Sequence, residues 1–415
     1  MKKFALNFIC KNEGHIIGKM LKSTMPITDL IVAVDTGSDD STISMIREFG
    51  STNNIPTFVF ERQFDNFCNS RNHALEKLKE VVGNLNWELE TTWGFFIDCD
   101  EMLELPEHFS KEDIRHDLCM ACITDQAFLQ YRQFLFKLSM KFYWKGPIHE
   151  YLVAETSAIS ACYLKNVRII ARPVGASWRT NVEKKYLAHA QKLIDYVNEG
   201  HRCFRWMFYI GESFSAAAKR CKTVERKTKW HLNALNYYEQ AIDCNHENRE
   251  DTYIIYDRIA ETKLSLGNNW HEVRKFFFKA YSADPRHAEP LYAVVKQYCK
   301  KNQWETAYLF SSFAVENYVN KPIMGTYIGE LQPSVYDWEL LFYHLLICTS
   351  LGKIEEGKTY YLRLKEILKK RIIEMDGKEV LVVRILLWQY RIRCLFGGHY
   401  GKSKSKHIRV FHRQA

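Results

Sequence analysis

The sequence predicts an α/β domain with a mostly parallel sheet, followed by an all-α array of tetratricopeptide-like helix hairpins. Three observations carry this expectation. Apolar, β-branched runs alternate with helical patterns over the first hundred residues. Strand signals end near Lys184, and amphipathic helices continue to about residue 395. The helical half also repeats, with a spacing near 34 residues.

The elements follow in order. Phe4 to Cys10 reads as a strand and Glu13 to Lys22 as a helix. Leu30-Ile31-Val32-Ala33-Val34 is a strand ending at Asp35, and a helix from Ser41 to Phe49 has Asp39, Asp40 or Ser41 near its N-cap. Thr57 to Phe60 is the third strand, Phe67 to Val82 the third helix and Trp93 to Ile97 the fourth strand. Such alternation implies parallel strands whose ligands bind at the carboxyl ends, where Asp35 and Asp98 stand. In the helical half, Ala241, Ala280 and Ala314 recur 39 and 34 residues apart. Asp284-Pro285 marks one hand-over, and Ala288-Glu289-Pro290-Leu291-Tyr292 opens the next hairpin. The expected layout is a catalytic-type domain over 1–182, helical repeats over 183–395 and a basic tail over 396–415.

Composition narrows the class. The 415 residues are 47% hydrophobic and 26% charged, enough for two or three cored domains. The apolar run at the amino terminus is cut by Lys11-Asn12-Glu13, too early for a signal peptide, and no window is long enough to span a membrane. A soluble, cytoplasmic protein is expected. Twelve scattered cysteines suggest reduced thiols, and Cys119-Met120-Ala121-Cys122 lacks the second pair of a metal site. Net charge is +9, and the last fifteen residues carry Lys402, Lys404, Lys406, Arg409 and Arg413 without an acid. That tail reads as a solvated end, with contact to nucleic acid or an anionic membrane surface as the alternative.

The chemistry-bearing residues lie mostly where strands meet loops. Asp98-Cys99-Asp100 closes an apolar strand, and Glu101 follows at once. Two carboxylates at that spacing suit a hard divalent cation, which can neutralise a diphosphate. Asp35 precedes a Gly37-Ser38 turn, so its carboxylate can accept from a nucleoside or cap the following helix. Arg71 lies near the apolar face of its helix and needs an anionic partner. A ligand would serve, as would Asp65 or Glu61.

Five elements in order resemble the glycosyltransferase family 2 enzymes of the GT-A fold. They are Lys11-Asn12-Glu13, Val34-Asp35-Thr36-Gly37-Ser38-Asp39-Asp40, Phe64-Asp65-Asn66-Phe67 through Arg71 to Leu75, Asp98-Cys99-Asp100-Glu101, and Lys145-Gly146-Pro147-Ile148-His149-Glu150. The chain looks similar to the branch that carries tetratricopeptide-like helices, such as the S-glycosyltransferases. The resemblance implies a nucleotide-sugar donor, a UDP-sugar first, and Mn2+ or Mg2+ as cofactor. It implies Asp100 as metal ligand, Asp98 on ribose or a metal-bound water, and His149 as the third metal-side residue. Asn12, Glu13, Asp35, Gly37 and Arg71 would line the donor site. Lys137 stands where relatives tend to carry arginine and would meet phosphate, with Arg132 nearby to share that task. Glu150, Glu101 and Asp125 are the candidate bases, with Glu150 first.

The processive Gln-x-x-Arg-Trp element is missing, so the resemblance implies one transfer to a soluble glycan, peptide, protein or modified nucleic-acid base. The helical half would hold that acceptor or form a homodimer. The alternatives are a non-catalytic scaffold and a sugar nucleotidyltransferase, although Cys10-Lys11-Asn12-Glu13-Gly14 lacks the glycine-rich loop of the latter.

Overall fold

A computed structural model describes residues 1–125, 128–172, 181–244, 248–319, 321, 331–371 and 377–395. The basic tail lies outside the described residues. Among the described residues ten strands are formed: β1 (Lys3–Cys10), β2 (Leu30–Asp35), β3 (Thr57–Glu61), β4 (Thr92–Phe95), β5 (Glu101–Glu104), β6 (Leu118–Thr124), β7 (Leu129–Lys137), β8 (Phe142–Lys145), β9 (Tyr151–Ala154) and β10 (Ala161–Ala171). The helices of the same region are α1 (Ile17–Thr24), α2 (Thr42–Thr52) and α3 (Phe67–Asn84).

Eight strands form one sheet in the order β3-β2-β1-β4-β7-β6-β10-β5, and β8 and β9 make a separate hairpin. β3, β2, β1, β4, β6 and β10 run parallel, while β7 and β5 run against them. Every residue of β2 is buried, as expected for a parallel strand covered on both faces. Alternation along β1 divides the core. Phe4, Leu6 and Phe8 pack with Ile17, Met20 and Leu21 of α1 and Ile46 of α2. Ala5 faces Leu75 and Leu78 of α3 on the other side. On that second face the buried Asn7 amide donates to Val32 O (3.1 Å) and Ala74 O (2.9 Å), tying α3 to β1 and β2. The sheet curls, because β5 returns to α1 and Leu103 N donates to Ser23 Oγ at 3.0 Å.

The helices that follow are α4 (Val182–Asn198), α5 (Phe204–Arg220), α6 (Val224–Ile242), α7 (Arg249–Ser265), α8 (Trp270–Ala283), α9 (Glu289–Lys300), α10 (Trp304–Tyr318), α11 (Leu340–Leu351), α12 (Ile354–Arg371) and α13 (Gly377–Leu395). Ala241, Ala280 and Ala314, the small residues of the repeat, are all fully buried on α6, α8 and α10. A mostly parallel sheet followed by tetratricopeptide-like helices is thus the architecture, as the periodicities predict. Secondary structure changes type between β10 and α4, whereas compactness divides the chain further along. One unit holds β1 to α6, and the other holds the middle of α7 and then α8 to α13. Among the described residues no helix is long and apolar enough to cross a membrane. All twelve cysteines are free thiols, and Cys119 lies 3.5 Å from Cys162 on β10, not against Cys122.

Candidate active site at the carboxyl ends of the strands

Parallel strands deliver their following loops to one edge of the sheet. There the loops after β1 and β2 interlock. Asn12 N donates to Ser38 Oγ (2.9 Å), and Asn12 Oδ1 accepts from Asp39 N (2.9 Å). Glu13 N donates to Thr42 Oγ1 (2.8 Å) and Gly14 N to Asp40 Oδ2 (3.1 Å). Asn12 adopts φ +55°, which asparagine tolerates better than most residues, and Gly37 adopts φ +103°.

Asp35 serves this turn. Its Oδ2 accepts from Gly37 N (2.9 Å) and Ser38 N (2.8 Å), its Oδ1 from Ser38 Oγ (2.5 Å), and only 2% of the residue is exposed. The start of α2 is served by Asp40, whose Oδ1 accepts from Thr42 N at 2.9 Å. Asp35 is therefore not the cap of α2. Its carboxylate organises the turn beside the expected nucleoside position.

The loop after β4 carries the densest charge. Arg71, on α3, donates through Nη2 to Asp98 Oδ1 and through Nε to Glu150 Oε1, both at 2.7 Å. Arg132, on β7, holds Glu101 with two hydrogen bonds of 2.8 and 2.5 Å, and its Nη1 lies 3.7 Å from Asp98 Oδ2. Both guanidiniums lie over the Phe96 ring, at 5.6 Å for Arg71 and 5.3 Å for Arg132. Arg71 also lies over Trp144, at 5.0 Å. Asn72 clamps that tryptophan by bonding both its backbone N (2.7 Å) and O (2.9 Å). Gln133 likewise bonds both Leu152 N and O at 2.7 Å, which fixes the hairpin leading from Glu150. Asp65 pairs with Arg62 instead, so neither local acid expected for Arg71 is its partner.

Electrostatics follow from burial and pairing. Burial opposes charge on both arginines, but the carboxylates more than offset it and raise their proton affinity. For Asp98 burial is likewise overcome, by Arg71 and then Arg132, and its carboxyl titrates below the usual range. Burial wins for Glu101, whose carboxyl titrates above the usual range despite Arg132. Asp98 keeps 36% of its side chain exposed, whereas Arg71 and Glu150 keep 11% each. The edge of the cluster open to a ligand is thus the Asp98 side.

His149 lies in the Gly146-to-Glu150 loop with φ +54°, and Gly146 has φ +105° with Trp206 of α5 where a Cβ would stand. The His149 carbonyl accepts from Arg205 Nη2 (2.8 Å), and its ring stacks on Tyr209 at 4.1 Å. Burial, then His189, Arg205 and Lys185, push its pKa down to about 3. Burial, Lys185 and Lys192 push His189 to about 4. Lys185 is lowered by burial, and the Asp100 carboxylate works against that loss. Asp100 and His149 therefore share a cationic neighbourhood built by α4 and α5.

Several expectations need correction. Asp98, Asp100 and His149 are not assembled as a three-residue ligand group, since the one such group among the described residues lies elsewhere. Asp98 faces two guanidiniums, and the His149 ring is turned onto Tyr209. Lys137 stands at the opposite end of the sheet, opposite Trp93 at the start of β4, and pairs with Glu90 at 2.7 Å. Because β7 runs antiparallel, Arg132, five residues earlier, lies about 17 Å nearer the carboxyl ends. Glu101 and Glu150 hold arginines. Asp125 follows β6 at the carboxyl edge, its Oδ1 3.2 Å from Phe128 N. Lys185, His189, Arg205 and Tyr209 went unread in the sequence. Their only signal is a pair of i,i+4 spacings, Lys185/His189 on α4 and Arg205/Tyr209 on α5.

No family model and no curated protein matches the chain. Among solved structures it is similar to S. aureus TarS 1-349 in complex with UDP-GlcNAc, at 10% identity over 65% of this chain and 93% of that one, with a TM-score of 0.32. A longer S. aureus TarS structure gives 14% identity over 67% of this chain and 54% of that one, with a TM-score of 0.34. A tetratricopeptide repeat protein from Parabacteroides merdae gives 13% identity over 52% of this chain and 76% of that one, with a TM-score of 0.28. What the site can do follows from its own geometry.

Proposed function

We propose that this chain is an inverting glycosyltransferase that moves a sugar from a nucleoside diphosphate donor, a UDP-sugar first, to a soluble acceptor. One observation carries the reading: Arg71 is held between Asp98 and Glu150 at the carboxyl end of β4, one strand away from the interlocked β1 and β2 loops. That is where open parallel sheets bind nucleotides. The order of elements matches the family resemblance noted above.

In the proposed reaction an acceptor atom attacks C1 of the sugar as the bond from C1 to the diphosphate oxygen breaks. The acceptor's proton passes to a carboxylate, for which Glu150, Glu101 and Asp125 are the candidates, Glu150 first; Glu101 and Glu150 also hold arginines. Arg71 and Arg132 fix the Asp98 carboxylate toward the donor ribose. Lys185 and Arg205 add positive charge on the side where diphosphate leaves. A bound divalent cation would neutralise charge on the leaving diphosphate. Asp100 would be its carboxylate ligand, as the family resemblance implies, in the manner of magnesium sites completed by phosphate and water.

Thermal shift with UDP-, GDP-, CDP- and dTDP-sugars, with and without manganese, tests the proposal. We expect one nucleotide class to stabilise the wild type and Lys137→Ala, and to lose that effect in Asp100→Ala. A folded wild type that shifts with no nucleotide sugar would sink the reading and favour a non-catalytic scaffold.

A further inference from the structure

The helical unit contains a second constellation with a different chemistry. His344 and Cys348 lie four residues apart on one face of α11, and Glu356 reaches them from α12. His344 Nε2 lies 3.3 Å from Glu356 Oε1 and 3.7 Å from Cys348 Sγ, and the three ligand atoms are all within 4.8 Å of one another. A nitrogen-to-oxygen separation of 3.3 Å is long for a charge-assisted hydrogen bond. It matches the edge of a metal tetrahedron. Zinc bonds of about 2.0–2.1 Å to nitrogen or oxygen and about 2.3 Å to sulfur put neighbouring ligands about 3.3–3.6 Å apart.

We propose that His344, Cys348 and Glu356 bind one zinc ion, which clamps α11 to α12. The surroundings supply what such a site needs. Ser311 Oγ, on α10, lies 2.8 Å from His344 Nδ1 and fixes the ring, leaving Nε2 for the ion. The Tyr308 hydroxyl donates to both Glu356 oxygens at 2.9 Å. Lys353 lies 3.6 Å from the Glu356 oxygen that faces away from the histidine. His344 is fully buried, whereas the Glu356 side chain is 33% exposed. A nitrogen, a sulfur and an oxygen donor together favour zinc over magnesium or calcium.

Tag-free, full-length protein stripped with a chelator and titrated with Co2+ tests this. We expect thiolate-to-cobalt charge-transfer absorption with tetrahedral d–d bands, both displaced by Zn2+, and a Tm raised by zinc. Cys348→Ser should remove the charge-transfer absorption, whereas Cys299→Ser, at another buried cysteine in the same unit, should keep it. Ser311→Ala should retain the bands and weaken cobalt binding about 10–100-fold. Cobalt held only by oxygen ligands near Asp100 would give no thiolate band, so the two sites are separable. A folded wild type without that band, or a band that survives Cys348→Ser, would overturn the proposal.

Discussion

Asp35 closes β2 and Asp98 follows β4 by three residues, both at the same edge of the sheet, yet they are used differently. Asp35 accepts from backbone and hydroxyl groups two and three residues ahead and is 2% exposed. Asp98 meets Arg71 and Arg132, 27 and 34 residues away, and keeps 36% of its side chain exposed. A carboxylate satisfied by its own turn builds a loop. One held by two distant cations keeps its charge stabilised without being enclosed, which suits the donor-facing role proposed for it.

The comparison can be broken by substitution. Arg71→Ala should give the largest effect, since it leaves Asp98 and the largely buried Glu150 side chain without their shared cation. A loss of about 3–5 kcal/mol is expected in urea denaturation. The donor-induced thermal shift should also vanish, and Arg71→Lys should recover charge but not the forked pairing.

The next test is pH. His149 is depressed from 6.5 to about 3 and His189 from 6.5 to about 4, so the unfolded chain binds more protons than the folded one between those limits. Stability is then fully present above pH 6.5 and falls as pH drops toward 3 to 4, by up to about 1.4 kcal/mol per pH unit for each histidine. His149→Gln should flatten that slope in denaturation curves taken from pH 7 to pH 4.

Asp35→Asn should have the smallest effect. An amide oxygen still accepts from the turn, so the expected cost is about 1 kcal/mol, with the donor-induced shift retained. A shift lost in this variant would mean that the Asp35 carboxylate touches the nucleoside, and the contrast with Asp98 would fail.

Much of the first unit was legible in the sequence. The runs Leu30–Val34 and Trp93–Ile97 carry apolar, β-branched or aromatic character over strand length, and both become buried strands or strand ends. The repeat of Ala241, Ala280 and Ala314 marks positions that are all fully buried on their helices, as stacked helical repeats bury a continuous core. The placement of Lys137 was not legible. An arginine-like role was expected from its order in the chain, but β7 runs antiparallel and carries it to the far edge. His344, Cys348 and Glu356 also passed unnoticed, since an i,i+4 pair on an apolar helix is indistinguishable from core until α12 brings its glutamate.

Element type, strand ends and the helical repeat are encoded locally, because periods of 2 and 3.6 residues act over a few neighbours. Partner choice is not. Which acid Arg71 pairs with depends on α3 crossing the sheet and on a hairpin returning Glu150 from 79 residues away. The sequence held both charges, but only the packed sheet and helices excluded enough water, and set the distances, to make them a pair.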